Sequence, residues 1–188
     1  ARFHFEVRSS WDGRPLHPDE HARIELRLGN AIEVEIEAAD YGDPAPLLPS
    51  GRCDGLWNFE VVELFLLGRD DEYLELEFGP HGHYLALRLA GRRQIIANDL
   101  PVEYTVERRG GRWHGRARAR IGDLPPDLVA ANAYAIHGQG ASRRYLAWRP
   151  VPGAAPDFHR LDHFGALSRA AQSSRESPIH DISTKGTP

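Results

Sequence analysis

Trp57, Glu63, Glu75, Arg88 and Trp148 have side chains suited to holding a polyhydroxylated molecule. A tryptophan offers a broad, rigid apolar plane for the C–H face of a sugar ring. A carboxylate accepts two hydroxyl donors, and arginine supplies donors in a fixed fork. Trp57 and Glu63 are six residues apart, so on one strand they share a face. Paired carboxylates could also flank a glycosidic bond as acid and nucleophile or base. Arg88 beside Glu63, Glu75 and Glu77 would keep them ionised, whereas a general acid needs a raised pKa. No apolar pocket that would raise it is legible in the sequence. The opposing reading makes Trp57 a core or strand-edge residue and the glutamates a solvated sheet face.

Other constellations carry less. His159 and His163 are four apart and would share one face of a helix, a spacing that suits a transition metal. No Cys or acidic cluster with ligand spacing accompanies them, so packing and capping are the expected roles, and no metal site is predicted. Asp70-Asp71-Glu72 has calcium-ligand chemistry but reads as a charged turn between strands. There is no Gly-x-Ser-x-Gly elbow, no phosphate-cradling loop and no protease signature around Cys53. No residue is assigned a catalytic role.

The elements that must position these side chains are strands. Phe3, Phe5 and Val7 alternate with polar residues, as do Ile24, Leu26 and Leu28, and then Ile32, Val34 and Ile36. Period two marks a strand with one buried face. Gly29-Asn30 joins the second and third runs as a hairpin. Prolines 44, 46 and 49 keep the segment 40–55 out of a central strand. Three strands follow at Trp57–Leu67, Tyr73–Phe78 and His83–Leu89. A turn of two or four residues within Gly79-Pro80-His81-Gly82 would put Leu74, Leu76 and Phe78 with Leu85, Leu87 and Leu89 in the core. Tyr73, Glu75 and Glu77 would then share the other face with Tyr84, Ala86 and Arg88, making Glu75 and Arg88 cross-strand neighbours.

Further strands are expected at Gln94–Ala97, Glu103–Arg108, Arg112–Ile121, Ala131–His137 and Arg144–Trp148. Only Asp123–Val129 and Asp162–Ala171 look briefly helical. About ten strands with turn signals between them argue for an all-β fold, an antiparallel β-sandwich of one domain over residues 1–172. From Ser173 to Pro188 the composition turns polar, and that tail is expected to be disordered.

Bulk properties narrow the function classes. The chain has 188 residues, 41% hydrophobic and 27% charged, with a formal net charge of −4. That balance gives no basic stripe for nucleic acid. No apolar run is long enough for a transmembrane helix. A single cysteine excludes an internal disulfide and fits a reducing compartment, so a cytoplasmic location is expected.

Leu56-Trp57 through Glu63-Leu64-Phe65, then Tyr73-Leu-Glu-Leu-Glu-Phe-Gly-Pro-His-Gly82, resembles the middle of family 9 carbohydrate-binding modules and their DOMON-like relatives. Trp148-Arg-Pro, Asp157-Phe-His159 and His163-Phe-Gly165 resemble the close of the same modules. A fuller resemblance, over roughly residues 9 to 167, is to a family of unknown function with bacterial and animal members. It is carried by Trp11-Asp-Gly, Asp43-Pro-Ala-Pro, Leu56-Trp-Asn-Phe-Glu-Val-Val-Glu, Pro80-His-Gly, Leu89-Ala-Gly-Arg, Ala135-Ile-His-Gly and Pro150-Val-Pro with Pro156-Asp-Phe-His.

The module resemblance implies a jelly-roll-like sandwich holding a sugar chain end between two tryptophans. Trp57 matches the first, Trp148 is the candidate for the second, Glu63 matches a hydroxyl-binding carboxylate, and His137 falls near a polar amide position. No cofactor is expected; the resemblance leaves room for calcium or heme, although the chain has no methionine for a Met/His axial pair. The leading expectation is non-catalytic binding of a carbohydrate-like small molecule through Trp57, Glu63, Glu75, Arg88, His137 and Trp148, with no nucleic-acid or membrane partner. The alternatives are a sugar hydrolase or isomerase acting through Glu63 and Glu75, and a protein-interaction scaffold.

Overall fold

The computed structural model describes residues 1–167. The expected disordered tail from Ser173 lies outside them. The chain forms β1 (Arg2–Val7), β2 (Ser9–Ser10), β3 (Ala22–Leu28), β4 (Ala31–Ala39), β5 (Gly51–Arg52), β6 (Val61–Leu67) and β7 (Glu72–Phe78). It continues with β8 (His83–Ala90), β9 (Ile95–Ala97), β10 (Val102–Arg109), β11 (Arg112–Arg120), β12 (Ala130–His137), β13 (Arg144–Ala147) and β14 (Gly165–Ala166).

Two sheets result. One has the order β1-β3-β4-β11-β10; the other runs β2-β13-β12-β6-β7-β8-β5, with β14 on β12 and β9 on β8. All pairs are antiparallel except the two-residue β5 beside β8. Phe5, Ile24, Leu26, Ile32 and Val34 of the first sheet meet Val62, Leu64, Leu66, Leu74 and Leu76 of the second in one buried core. This is the expected jelly-roll-like β-sandwich. Each such side chain contributes about 1.5–3 kcal/mol when buried.

The two expected helices do not form. Ile121–Asp123 and Leu161–His163 are single 3-10 turns. Pro125 and Pro126 follow the first and cannot extend it. Gly165–Ala166 pairs with β12 where the second was expected to continue, and residues 168–171 lie outside the described chain.

The two sheets differ on their outer faces. The five-stranded sheet turns Glu33, Glu35 and Glu37 outward, where they pair with Arg118, Arg27 and Arg112. That is a solvated face of alternating charge. The central strands β6, β7 and β12 of the nine-stranded sheet are buried on both sides, and every residue of β6 is buried. Its outer face carries a second apolar cluster, in which Val61, Phe65, Leu85, Leu87, Leu89, Tyr134 and Ile136 are covered by Cys53, Leu56, Val151 and Phe158.

The β7–β8 hairpin decides which residues go to which side. Phe78 pairs with Tyr84, Leu76 with Ala86 and Glu75 with Leu87. The connection is a three-residue loop, Pro80 to Gly82. Gly79 N–H donates to the carbonyl of His83, and Gly82 sits at φ 85°. Such a loop, closed by a left-handed glycine, shifts the register by one relative to the two- or four-residue turns. A one-residue shift moves a whole strand face to the other side. The expected grouping is therefore overturned. Leu85, Leu87 and Leu89 share their face with Tyr73, Glu75 and Glu77, whereas Arg88, Ala86 and Tyr84 lie with Leu74, Leu76 and Phe78.

Candidate ligand-binding site

Beneath its covering loops, the outer face of the nine-stranded sheet holds a cavity of about 390 Å³. That lies within the size range of small-ligand pockets. Its floor is Glu63 and Phe65 of β6, Glu75 of β7, Leu87 and Leu89 of β8 and Ile136 of β12, with Tyr145 of β13 beside them. Trp57, Arg93, Arg143 and the segment Pro156–His159 form its wall.

Three carboxylates lie on this sheet face. Glu63 stands directly opposite Glu77 across β6 and β7, and Glu75 follows two residues from Glu77 on the same side. Glu63 is 2% exposed, Glu75 4% and Glu77 fully buried. No described residue donates a hydrogen bond to Glu75 Oε2 or to either oxygen of Glu77. Among the described residues none of the three forms an ion pair. Burial removes the water that would stabilise their charge, and mutual repulsion adds to the effect. Desolvation, then the charge of Glu75, drives Glu63 well above the usual carboxylate range. Desolvation, then Glu63 and Glu75, does the same to Glu77. Glu75 is pushed by burial to about 7, held back first by the adjacent Glu77 carboxyl and then by the charge of Arg93. The apolar pocket that the strand pattern did not reveal is supplied by covering loops and by Phe65, Leu87 and Ile136.

The wall is tied down by named contacts. Arg143 donates to the carbonyls of Trp57, Asn58 and Gly138. Its guanidinium also lies over the Tyr145 ring, 5.6 Å from the centroid. This clasp fixes the single 3-10 turn Leu56–Asn58, which presents Trp57 44% exposed at the cavity mouth. Trp57 is thus not on β6, and the strand-parity argument that linked it to Glu63 does not hold, although both line the cavity.

On the far side, Asp157 pairs with Arg92 and Arg93. Tyr134 stacks on Phe158 at 3.8 Å between ring centroids and donates to its carbonyl. Fully buried Asn132 donates to Tyr134 Oη and to the carbonyl of Arg149, while its Oδ1 accepts the N–H of Arg149. Together these bonds hold the segment from Arg149 to Phe158 against β12.

His159 lines the cavity with a defined proton. The Tyr73 hydroxyl accepts the Arg93 N–H at 3.1 Å and lies 2.7 Å from His159 Nδ1. Tyr73 is wholly buried, and His159 is the one described acceptor for its O–H, so Tyr73 donates to Nδ1 and the ring proton sits on Nε2. Burial, then the charges of Arg93 and Arg92, lowers His159 to about 4, so the ring is neutral. Burial raises the Tyr73 phenol to about 12.

Three expected site residues are elsewhere. Arg88 lies on the opposite face of β8, where it pairs with Glu72 and donates to the carbonyls of Asp123 and Leu124. The odd-length turn put it there. His137, at the end of β12, stacks on Tyr41 at 3.5 Å between ring centroids and does not line the cavity. Trp148 follows β13 and packs edge-on against Phe5, with Arg149 over its ring 4.4 Å from the centroid. Alternation along β13 sends Tyr145 to the cavity and Leu146 to the inter-sheet core. The aromatic partner of Trp57 at the cavity is therefore Tyr145. Arg93, Arg143, Tyr145, Asp157 and His159 were not anticipated as cavity residues, although Asp157-Phe-His159 belonged to the motif used for the resemblance.

Among the described residues no group of three His, Cys, Asp or Glu side chains converges to hold a metal ion. Asp70 and Asp71 occupy the turn before β7 at positive φ and stand outside the cavity. The chain has no methionine for a Met/His heme pair. Among the described residues no helix is long and apolar enough to cross a membrane.

No family model matches the chain. A "putative carbohydrate-binding protein" from Bacteroides uniformis shares the fold, with a TM-score of 0.65 and 16% identity over 88% of this chain and 85% of that one. A family 9 carbohydrate-binding module from Caldicellulosiruptor kristjanssonii, in complex with cellotriose, superposes at a TM-score of 0.44 and 14% identity over 68% and 65% of the two chains. The UPF0462 protein C4orf33 homolog of Mus musculus is 38% identical over 176 residues, 87% of this chain and 90% of that protein. With that identity running through nearly the whole of both chains, the protein belongs to the UPF0462 family.

Proposed function

We propose that the cavity binds a carbohydrate or a similarly polyhydroxylated small molecule. The observation that carries this reading is the pairing of Trp57 at the mouth with Glu63 and Glu75 on the floor, where Glu75 Oε2 has no hydrogen-bond partner among the described residues. A sugar offers an apolar ring face to the first and hydroxyl donors to the second. Tyr145 gives a second aromatic wall, and Arg143, Arg93 and His159 Nε2–H supply donors for ring and hydroxyl oxygens. The fold shared with the Bacteroides uniformis protein, named for carbohydrate binding, supports the same class of ligand.

Calorimetric titration of a glycan panel tests this. At least one mono- or disaccharide should bind, and Trp57→Ala should weaken it by roughly 10–100-fold, the equivalent of about 1–3 kcal/mol. Tight binding unchanged in Trp57→Ala would refute the site, and no binding across the panel would refute the function.

A further inference from the structure

We infer that Glu75 and Glu63 act as base and acid to interconvert the anomers of a reducing aldose bound in this cavity. The inference rests on the sugar reading and adds turnover to it. Its geometric basis is the floor: Glu63 and Glu75 both line the cavity, on adjacent strands and one sheet face, diagonal to each other across the Glu63–Glu77 pair. Glu75 Oε2 is buried and unpartnered. Phe65 is the register partner of Glu75, and His159 packs edge-on against Phe65 at 5.4 Å between ring centroids. The neutral imidazole thus borders the same part of the cavity as the Glu75 carboxylate.

Access favours a chain end. Exposure falls from 44% at Trp57 to 2% at Glu63, so the cavity deepens into the carboxylates. A ligand enters end first and presents a terminal ring to the floor. At a reducing end, one proton removed and one delivered suffice to open that ring.

The two carboxyls are suited to opposite roles. The adjacent Glu77 carboxyl, then the charge of Arg93, favours ionisation of Glu75, and the resulting charge favours the protonated form of Glu63. Carboxyl groups whose environments push their affinities apart divide into acid and base. In ring opening, the Glu75 carboxylate takes the proton of the anomeric hydroxyl. That oxygen forms the carbonyl as the bond from the anomeric carbon to the ring oxygen breaks. Glu63 gives its proton to the departing ring oxygen. His159 Nε2–H is a ready hydrogen-bond donor to the carbonyl oxygen. Rotation about the adjacent carbon–carbon bond exposes the other carbonyl face. In closure the hydroxyl adds to the carbonyl carbon and returns its proton to Glu63, while Glu75 protonates the carbonyl oxygen. Both residues end as they began, and no oxidant, metal or water is consumed.

The test is anomer exchange followed by polarimetry or by the anomeric proton signals. Freshly dissolved α-D-glucose, α-D-galactose and α-D-xylose are mixed with the whole protein, and binding of the same sugars is measured calorimetrically. The approach to equilibrium should accelerate in proportion to protein for at least one sugar. Glu75→Gln and Glu63→Gln should each cut that acceleration by roughly 10²–10⁴-fold, the usual contribution of general acid–base catalysis. Thermal melts check that the variants fold. The wild-type rate should also follow a bell-shaped pH profile, which tests the pair without mutation. A sugar that binds without faster exchange overturns this inference and leaves the binding function standing. No binding across the glycan panel overturns both. Acceleration that survives both substitutions, or does not vary with pH, overturns the roles given to Glu63 and Glu75.

Discussion

Glu63 and Glu77 face each other directly across β6 and β7, both buried and without an ionic partner among the described residues. Like charges opposite each other in a sheet are destabilising, and burial makes each charge costly. Each member of the row is therefore pushed toward its protonated form. Glu75 is the member whose ionisation falls nearest neutrality, at about 7.

This sets a pH dependence of stability. A carboxyl with a folded pKa above its unfolded value binds protons in the native state that the unfolded chain has released. Its favourable contribution is complete below the unfolded value and is lost as pH rises through the folded value, here between 4.5 and about 7. Glu75→Gln removes that titration. The variant should gain on the wild type by about 1–3 kcal/mol between pH 5 and pH 8. Glu63 and Glu77 face Glu75 and are raised by its charge, so removing that charge eases their upward shifts too and adds to the gain in the same direction. Urea denaturation at the two pH values measures the difference; a gap that stays constant with rising pH would show that Glu75 is already ionised at pH 5.

Arg88 separates the two possible registers of the β7–β8 hairpin. It bonds Glu72 and two carbonyls on the side away from the cavity. Arg88→Ala should cost about 2–3 kcal/mol of stability through lost charged hydrogen bonds. Ligand affinity should stay within twofold, as measured by calorimetry on the folded variant. A large loss of affinity with little loss of stability would place Arg88 in the site after all.

Asn132 should couple cover to floor. Its amide joins β12 to Arg149 and to Tyr134, which in turn holds Phe158. Asn132→Ala leaves buried partners unpaired and should cost about 2–4 kcal/mol. Hydrogen exchange should rise from Arg149 to His159 more than in the five-stranded sheet. Uniform exchange changes across both sheets would mean that Asn132 stabilises the fold without holding the cover.

The sandwich was legible because period-two alternation survives in β1, β3 and β4, whose outer faces are wet. On β7 the same alternation misled. Glu-Leu-Glu reads as polar outside and apolar inside, yet loops far away in sequence cover the glutamates. Strand periodicity reports two faces and says nothing of what later segments lay on them. The turn was the second failure, since Gly82 permits a three-residue loop that parity arguments for two or four residues omit. Trp57 reached the cavity for a different reason than the one that selected it: Arg143 clasps its turn. Tyr145 was accessible in principle, because it alternates with Leu146 three residues before Trp148.

The most direct test of the central claim, a sugar seated between Trp57 and the Glu63–Glu75 floor, is a two-dimensional NMR titration of the tryptophan indole N–H signals. The chain has four tryptophans: Trp11, Trp57, Trp113 and Trp148. Trp57 stands at the cavity mouth, while Trp113 and Trp148 pack with the inter-sheet core. On addition of a bound sugar, the Trp57 signal should shift in a saturable way and those of Trp113 and Trp148 should stay in place. A saturable shift of Trp148 with Trp57 unmoved would contradict the account and put the ligand elsewhere.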